Sequence, residues 1–480
     1  MTEYSHFSVV LHVFGSNLIT ALHNTISIIL AKAFNSAISK SINSEFACSE
    51  FLKKVDLKDL VTQSFFCFAT SLVVIQIWIN SAISNQGKLP HSVKFISGEL
   101  VAWSFKELTA TIMGFLADFM WKQEASGERS LGDVLQGDAG FNIGEEWLFV
   151  ATYGVYFGIL SGIVLIVFGF ALPSVFESAF WYFAKCFYRT PCSFTRTNQS
   201  DFVQEEENRD ALDIQMHQPF SRETSNNLAF EFVNDCIRLS YAWCANGYVS
   251  GTLVAIFTSS EGKTDEIKVK SVGLLEIYCI LIAAFGGLMC GNASRFREKV
   301  GAKVTKLGEF FIQWWATWAG LAIASLATSP GAISSRLGSS IENEHLFDLI
   351  RTILSSLFAI MLLFHASNVR VRRKILLIPI SYHVGIEYGK IFSTAAVFGF
   401  AVAWEEYGND LACFFSEVED EMDNGISAIG AIWLYFVMVL IILLPLSFFT
   451  AKRRKHIVKS AEDKLSSYHE NIGLRLEEEK

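Results

Sequence analysis

Long apolar runs are the feature that most constrains how this chain can fold. Residues 271–291 and 426–450 are apolar almost throughout, and further runs of similar length are spread along the 480 residues. A helix needs about 20 mostly apolar residues to cross roughly 30 Å of hydrocarbon. Hydrophobic residues make up 51% of the chain and charged residues 18%, and the mean hydropathy is +0.35. The sequence therefore predicts an all-α polytopic membrane protein rather than a set of soluble domains.

The apolar runs give about ten predicted transmembrane helices. They cover 8–37, 60–84, 96–121, 147–181, 228–257, 271–291, 308–329, 346–367, 375–404 and 426–450. The first is the least apolar, because it carries His12, His23 and three asparagines. An alternative is that it lies in the membrane interface as an amphipathic helix, which would leave nine spans.

The predicted spans divide the chain into four segments, and the charges of the loops predict on which side of the membrane the soluble segments lie. The segments are a first membrane segment with helices 1–4 (1–186), a polar loop (187–227), a second membrane segment with helices 5–10 (228–451) and a charged tail (452–480). Lysine and arginine concentrate at 370–374 and 452–456, whereas the 405–425 loop is acidic. Because basic loops stay in the cytoplasm, both termini, the polar loop and the tail are predicted to be cytoplasmic.

Four charged residues lie inside two of the predicted spans. Lys106 and Glu107 are near the middle of the third span, and Glu387 and Lys390 are near the middle of the ninth. A lone charge at the bilayer centre costs about 2.5–3.5 kcal/mol on insertion scales, so each charge needs a partner. Glu387 and Lys390 share a helix face and can pair locally, whereas Lys106 and Glu107 are adjacent, point about 100° apart and need partners elsewhere. The sequence therefore predicts that the third span packs beside the ninth, with Lys106 near Glu387 and Glu107 near Lys390.

Aromatic residues lie at the estimated midpoints of four odd-numbered spans. They are Phe105, Trp243, Trp318 and Tyr388, in the third, fifth, seventh and ninth spans. The even-numbered spans lack this feature, which favours a helix hairpin that is used several times. Trp and Tyr usually prefer the membrane interface. At mid-depth they either pack against neighbouring helices or line a substrate path, and both interpretations stay open.

Ionisable residues inside a membrane commonly mark a route for ions or protons. The main hypothesis is a transporter or channel-like protein for a small ion or solute, lined by the third, fifth, seventh and ninth helices. Its pathway would include the four charged and four aromatic residues named above. The alternative is a non-transporting multi-pass scaffold or receptor in which the charges only fix helix packing.

Other classes of function receive no support from the sequence. HExxH, GxSxG and Walker motifs are missing, so no enzyme activity and no catalytic residues are predicted. No residues at metal-ligand spacing, no cofactor motif and no nucleic-acid partner are indicated. The expected partner is the lipid bilayer.

Overall fold

The computed structural model describes residues 6–42, 57–84, 90–121, 145–189, 221–258, 264–300, 305–328, 344–372, 374–375, 378–420 and 428–478. The helices in these ranges are α1 (His6–Ile42), α2 (Leu57–Ser84), α3 (His91–Trp121), α4 (Glu145–Ile166), α5 (Glu177–Arg189), α6 (Arg222–Thr258), α7 (Thr264–Val300), α8 (Lys306–Thr328), α9 (Glu344–Arg372), α10 (Tyr382–Asp420) and α11 (Ala428–Glu478). A π-helical segment, Val167–Phe176, joins α4 to α5 and contains Pro173, which cannot donate the regular helical hydrogen bond. Strands β1 (Lys374–Ile375) and β2 (Ile378–Pro379) form a short antiparallel hairpin.

Seven helices in the described part of the chain are long and apolar enough to cross a membrane. They are α1, α2, α4 with the π-helical segment, α7, α9, α10 and α11. The chain is therefore an integral, multi-pass helical membrane protein. The third, fifth and seventh predicted spans are also helical, as α3, α6 and α8. They are less apolar because they carry charged and polar side chains, so the count of ten spans stays a prediction.

The helices form an inner ring and an outer layer. Within the ring, α1 packs against α3, α3 against α6, α6 against α8, α8 against α10, and α10 against α1. These five helices correspond to the odd-numbered predicted spans. Most of the large apolar side chains that remain exposed lie on the other helices, for example Phe65, Phe170, Ile280, Met361 and Ile441. An apolar outer surface of this kind suits contact with acyl chains.

Hydroxyl caps start three helices of the ring. The side-chain oxygens of Ser221, Thr305 and Ser381 accept hydrogen bonds from the backbone N–H three residues further on, at 3.0, 3.2 and 3.4 Å. Such caps satisfy N–H groups that have no partner within the helix, and each contributes about 1 kcal/mol. With the β hairpin before Ser381, α10 begins at Tyr382, whereas the predicted ninth span begins at 375. Lys390 therefore lies only about two turns into the helix, not at its middle.

The first and last helices also differ from their predicted forms. The side chains of His23, Ser27 and Ala33 are fully buried in the bundle, which favours a membrane span over an interfacial position for α1. The tenth span and the charged tail form one helix, since α11 is continuous across residue 452. Its Leu465 packs in a cluster with valines at the start of α1. Most of the predicted polar loop 187–227 lies outside the described residues.

Glycines bring α7 close to α10. A Cβ atom on Gly287 would lie 2.5 Å from the ring of Tyr388, and one on Gly291 would lie 2.5 Å from the Cα of Val384. Small residues at such crossings let membrane helices pack with their backbones close together. This contact fixes the position of α10 against α7.

Candidate functional site

The ring helices surround a cavity of about 350 Å³. Its polar lining comes from all five helices: Asn17, Thr20 and Asn24 of α1, Glu99 of α3, Arg238 of α6, Gln313 and Thr317 of α8, and Glu387, Lys390, Ser393 and Thr394 of α10. At about 30 Å³ for each water molecule, the cavity has room for roughly ten waters or for a small polar solute. The third, fifth, seventh and ninth predicted helices all contribute side chains, and α1 adds a fifth wall.

One wall of the cavity is a polar network that links α3, α6 and α8. The Gln313 Oε1 atom accepts hydrogen bonds from Asn234 Nδ2 at 3.0 Å and from Arg238 Nη1 at 3.1 Å. Arg238 Nη2 also lies 3.3 Å from Asp235 Oδ1. The Glu99 carboxylate is close enough to interact electrostatically with both Arg238 and Asp235. The network therefore fixes the guanidinium group of Arg238 at the cavity surface.

On α10, a buried carboxylate pairs with an exposed lysine. Lys390 Nζ lies 2.7 Å from Glu387 Oε1, as the spacing of three residues predicts. Ser294 of α7 donates a longer hydrogen bond of 3.5 Å to the same oxygen. The Glu387 side chain is 5% exposed and that of Lys390 is 59% exposed. The buried acid therefore holds a lysine whose ammonium group stays open to the cavity.

The predicted pairing of the third span with the ninth is wrong. Lys106 Nζ lies 3.0 Å from Glu107 Oε1 in the same helix, while Glu387 binds Lys390. The flexible four-carbon stem of lysine lets its ammonium group reach the neighbouring carboxylate, although the two side chains leave the helix in different directions. Lys106 Nζ also lies 5.1 Å from the centre of the Trp243 ring. Between the two helices, α1 packs against both α3 and α10.

The four midpoint aromatics do not form a single ring of side chains. Phe105 and Trp243 pack against the same hydrophobic cluster, which Trp318 also contacts. Trp318 donates a hydrogen bond of 2.8 Å to the hydroxyl group of Tyr278. The Tyr388 hydroxyl donates at 2.8 Å to the backbone oxygen of a residue in α7, in a separate cluster. Of the eight predicted site residues, Glu387 and Lys390 are the two that line the cavity.

A second charged cluster lies further along α1 and α10. Lys32 Nζ lies 2.6 Å from Glu405 Oε2 and 3.7 Å from Glu406 Oε1. Arg351 of α9 lies 3.6 Å from Glu406 and 3.4 Å from Asp348. Unlike the pairs of Lys106 and Lys390, the bonds of Lys32 join two helices. This cluster therefore fixes the positions of α1, α9 and α10 relative to one another.

Several cavity residues were missed because single polar side chains do not stand out in a sequence. A signal was nevertheless present in α1, where Asn17, Thr20 and Asn24 are spaced by three and four residues. That spacing places all three on one helix face. In α8, Gln313 and Thr317 are four residues apart and also share one helix face. A polar stripe within an otherwise apolar span predicts a helix that faces a cavity.

Two buried atoms at the cavity wall have no hydrogen-bond partner among the described residues. They are Asn24 Oδ1 and Arg238 Nε. Buried polar atoms in proteins are nearly always hydrogen-bonded, to ordered water if not to protein. The cavity is therefore suited to hold water or a polar ligand, and its charges of both signs can bind an ion or a small solute.

Comparisons with known proteins do not assign the chain to a family. No family model matches it, and neither a curated protein nor a solved structure matches it.

Proposed function

We propose that this protein is a membrane transporter or channel-like protein that moves a small ion or polar solute through the central cavity. The observation that carries the proposal is the cavity itself, a space inside a ring of five helices, each of which contributes charged or polar side chains to a lining that is otherwise apolar. The outer surface of the bundle is apolar. Charged groups inside a membrane are unfavourable unless they are paired, hydrated or bound to a ligand. A hydrated path through the ring accounts for them.

The chemistry of the cavity limits what can enter it. Arg238 and Glu99 present a cation and a carboxylate on one wall, and the pair of Glu387 and Lys390 lies on α10. Hydroxyl groups of Ser393 and Thr394 lie beside Lys390 on α10. Such a mixed lining favours a small solute with both donor and acceptor groups, or an ion that keeps part of its water shell.

The proposal includes ten spans with both termini in the cytoplasm. Helices α3, α6 and α8 are part of the ring, and even the shortest of them, α8, has 23 residues. At 1.5 Å for each residue this gives a length of about 35 Å, enough to cross the hydrocarbon layer. Glu99, Arg238, Gln313 and Thr317 of these helices line the cavity. The basic residues at 370–374 and 452–456 then lie on the cytoplasmic side.

The alternative, a non-transporting scaffold or receptor, is favoured by the second charged cluster. Lys32 pairs with Glu405 and Glu406, and Glu406 pairs with Arg351 of another helix. None of these residues lines the cavity. Charges of this kind fix helix packing. The two hypotheses differ in the central cavity, which carries the substrate in a transporter and is passive in a scaffold.

Flux through liposomes that contain the purified protein tests the proposal. Alkali cations, chloride and a neutral amino acid such as alanine serve as probes of the three solute classes. Glu387→Gln keeps the side-chain shape and removes the charge that holds Lys390. We expect at least about a ten-fold loss of flux, since a charge-assisted hydrogen bond is worth about 1.5–3 kcal/mol. Glu231→Gln is the matched control, because that carboxylate is 36% exposed, binds Lys94 and lies outside the cavity.

Thiol labelling gives an independent measurement. A membrane-impermeant charged reagent should modify Thr394→Cys, which lines the cavity, much faster than Ile441→Cys, which lies on the apolar outer surface. The wild-type protein measures the background from its own cysteines. Equal labelling of both variants, together with no flux of any probe in wild-type liposomes, would leave the scaffold as the better hypothesis.

A further inference from the structure

A second cavity, of about 190 Å³, lies where α1, α9 and α11 meet. Two arginines from different helices reach it, Arg370 in the last turn of α9 and Arg454 in α11. On the α1 side it is lined by Ser16, Asn17 and Thr20. At about 30 Å³ for each water molecule, the space holds roughly six waters.

The two arginines are bonded to neutral oxygens and not to carboxylates. Arg370 Nη1 donates to Asn17 Oδ1 at 3.4 Å, and Arg454 Nε donates to Thr20 Oγ1 at 3.2 Å. In the part of the chain that the structure describes, neither arginine forms an ion pair, and Arg370 Nε is buried without a hydrogen-bond partner. Exposed Glu462 also lines the cavity and attracts Arg370 electrostatically, but not at ion-pair distance. The site therefore has an excess of donors and positive charge.

Such a site matches the chemistry of a phosphate group. The planar guanidinium group donates paired hydrogen bonds to phosphate oxygens, and it is the side chain that most often does so. The hydroxyl groups of Ser16 and Thr20 can donate further bonds. A phosphate would supply the acceptor that the buried Arg370 Nε lacks.

The position of the cavity fits this chemistry as well. Arg370 and Arg454 lie where the apolar sequence of α9 and α11 gives way to basic residues, at 370–374 and 452–456. In the predicted topology this level is the cytoplasmic surface of the membrane, where lipid phosphates are found. Exposed Lys452, Arg453 and Lys455 add to the attraction for anions there.

We propose that the cavity between α1, α9 and α11 binds a phosphate group, either the head group of an anionic phospholipid or a soluble phosphate compound. Asn17 and Thr20 line both this cavity and the central one. A bound phosphate would therefore lie directly beside the central cavity.

Thermal unfolding of the full-length protein in delipidated detergent micelles tests the site. Inorganic phosphate is titrated against chloride at equal ionic strength, and the protein is separately reconstituted in phosphatidylcholine vesicles with or without phosphatidic acid. We expect a higher unfolding temperature with phosphate, with phosphatidic acid, or with both, because binding to the folded state stabilises it. A rise with the lipid alone identifies a lipid site, and a rise with both identifies a general phosphate site. No rise with either probe would overturn the proposal.

Variants separate a built site from general charge attraction. Arg454→Gln should weaken the apparent affinity about ten-fold, as expected for the loss of one charge-assisted contact. Arg453→Gln is the matched control, because this neighbouring side chain is exposed, lies over the Phe449 ring and does not line the cavity. If Arg454→Gln does not fold, Thr20→Val removes the hydroxyl that holds Arg454 and should still weaken binding. An equal loss in Arg453→Gln would show attraction to the basic surface alone and would refute the site.

Discussion

Breaking the buried pair of Lys32 and Glu405 should destabilise the bundle far more than breaking an exposed pair of the same length. Lys32 Nζ lies 2.6 Å from Glu405 Oε2, and the side chains are 15% and 3% exposed. Lys94 and Glu231 are also 2.6 Å apart, but their side chains are 37% and 36% exposed. Each pair joins two helices of the ring, α1 to α10 and α3 to α6. The two pairs therefore match in length and differ in burial, and Lys32 has Glu406 as a second partner at 3.7 Å.

The expected size of the effect follows from what each substitution leaves behind. Lys32→Met leaves the Glu405 carboxylate buried without its cation, although Asn409 still donates a hydrogen bond to it. Removing one partner of a buried pair costs about 3–5 kcal/mol, and this remaining bond favours the lower end, about 3 kcal/mol. Lys94→Met should cost less than about 1 kcal/mol, because water replaces the lost partner. Lys32→Met combined with Glu405→Met buries no charge and should recover at least half of the loss.

Titration of the purified protein with SDS in mixed micelles, followed by tryptophan fluorescence, measures the free energy of unfolding. A double-mutant cycle then gives the coupling energy of each pair. We expect about 2 kcal/mol or more for the buried pair and under about 1 kcal/mol for the exposed one. Equal losses in the two lysine variants, or strictly additive losses in the buried double variant, would refute the view that burial sets the strength of these pairs.

Three further predictions concern packing, the polar network and topology. Gly287→Ala should destabilise the protein by about 1–3 kcal/mol in the same titration, because the new Cβ would press on a tyrosine ring, whereas Gly158→Ala, with nothing within 4 Å, should be neutral or mildly stabilising. Similar losses in both glycine variants would contradict the close contact. Gln313→Leu should cost about 1–3 kcal/mol, since Asn234 and Arg238 lose the acceptor that they share, and unchanged stability would mean that water replaces the amide. Asn198, in the sequon NQS, should stay unglycosylated in cells, and a mobility shift on glycosidase treatment would overturn the cytoplasmic position of its loop.

The membrane class and part of the site follow from the sequence because they depend on local properties. Apolar runs of this length form helices whatever their neighbours are, and each of the ten predicted spans overlaps a helix of the structure. The bond between Glu387 and Lys390 follows from their spacing within one helix. The third, fifth, seventh and ninth spans, which were predicted to line a path, all contribute side chains to the cavity, whereas the first span was not predicted to do so.

The rest of the site depends on packing, which the sequence does not contain. Whether Glu99, Arg238 and Gln313 meet is decided by how α3, α6 and α8 are rotated in the ring. The predicted partner of Lys106 is wrong, because the long lysine stem reaches the adjacent Glu107 and α1 packs between the helices of the third and ninth spans. Lys390 lies nearer the start of its helix than predicted, because the β hairpin and the Ser381 cap make α10 begin later than the apolar run does.

The packing of α1 along α11 has a consequence for the order of assembly during synthesis. The side chains of His23 and Thr450 meet at 3.3 Å across a separation of 427 residues. The ribosome therefore delivers α1 to the membrane long before the helix that covers it exists. Contacts between such distant segments form slowly. Until α11 is present, the polar groups that it would cover make the inserted helices prone to misassembly. We expect the early helices to stay bound to the insertion machinery until α11 is made. The ring should reach its final geometry only after α11 has been inserted.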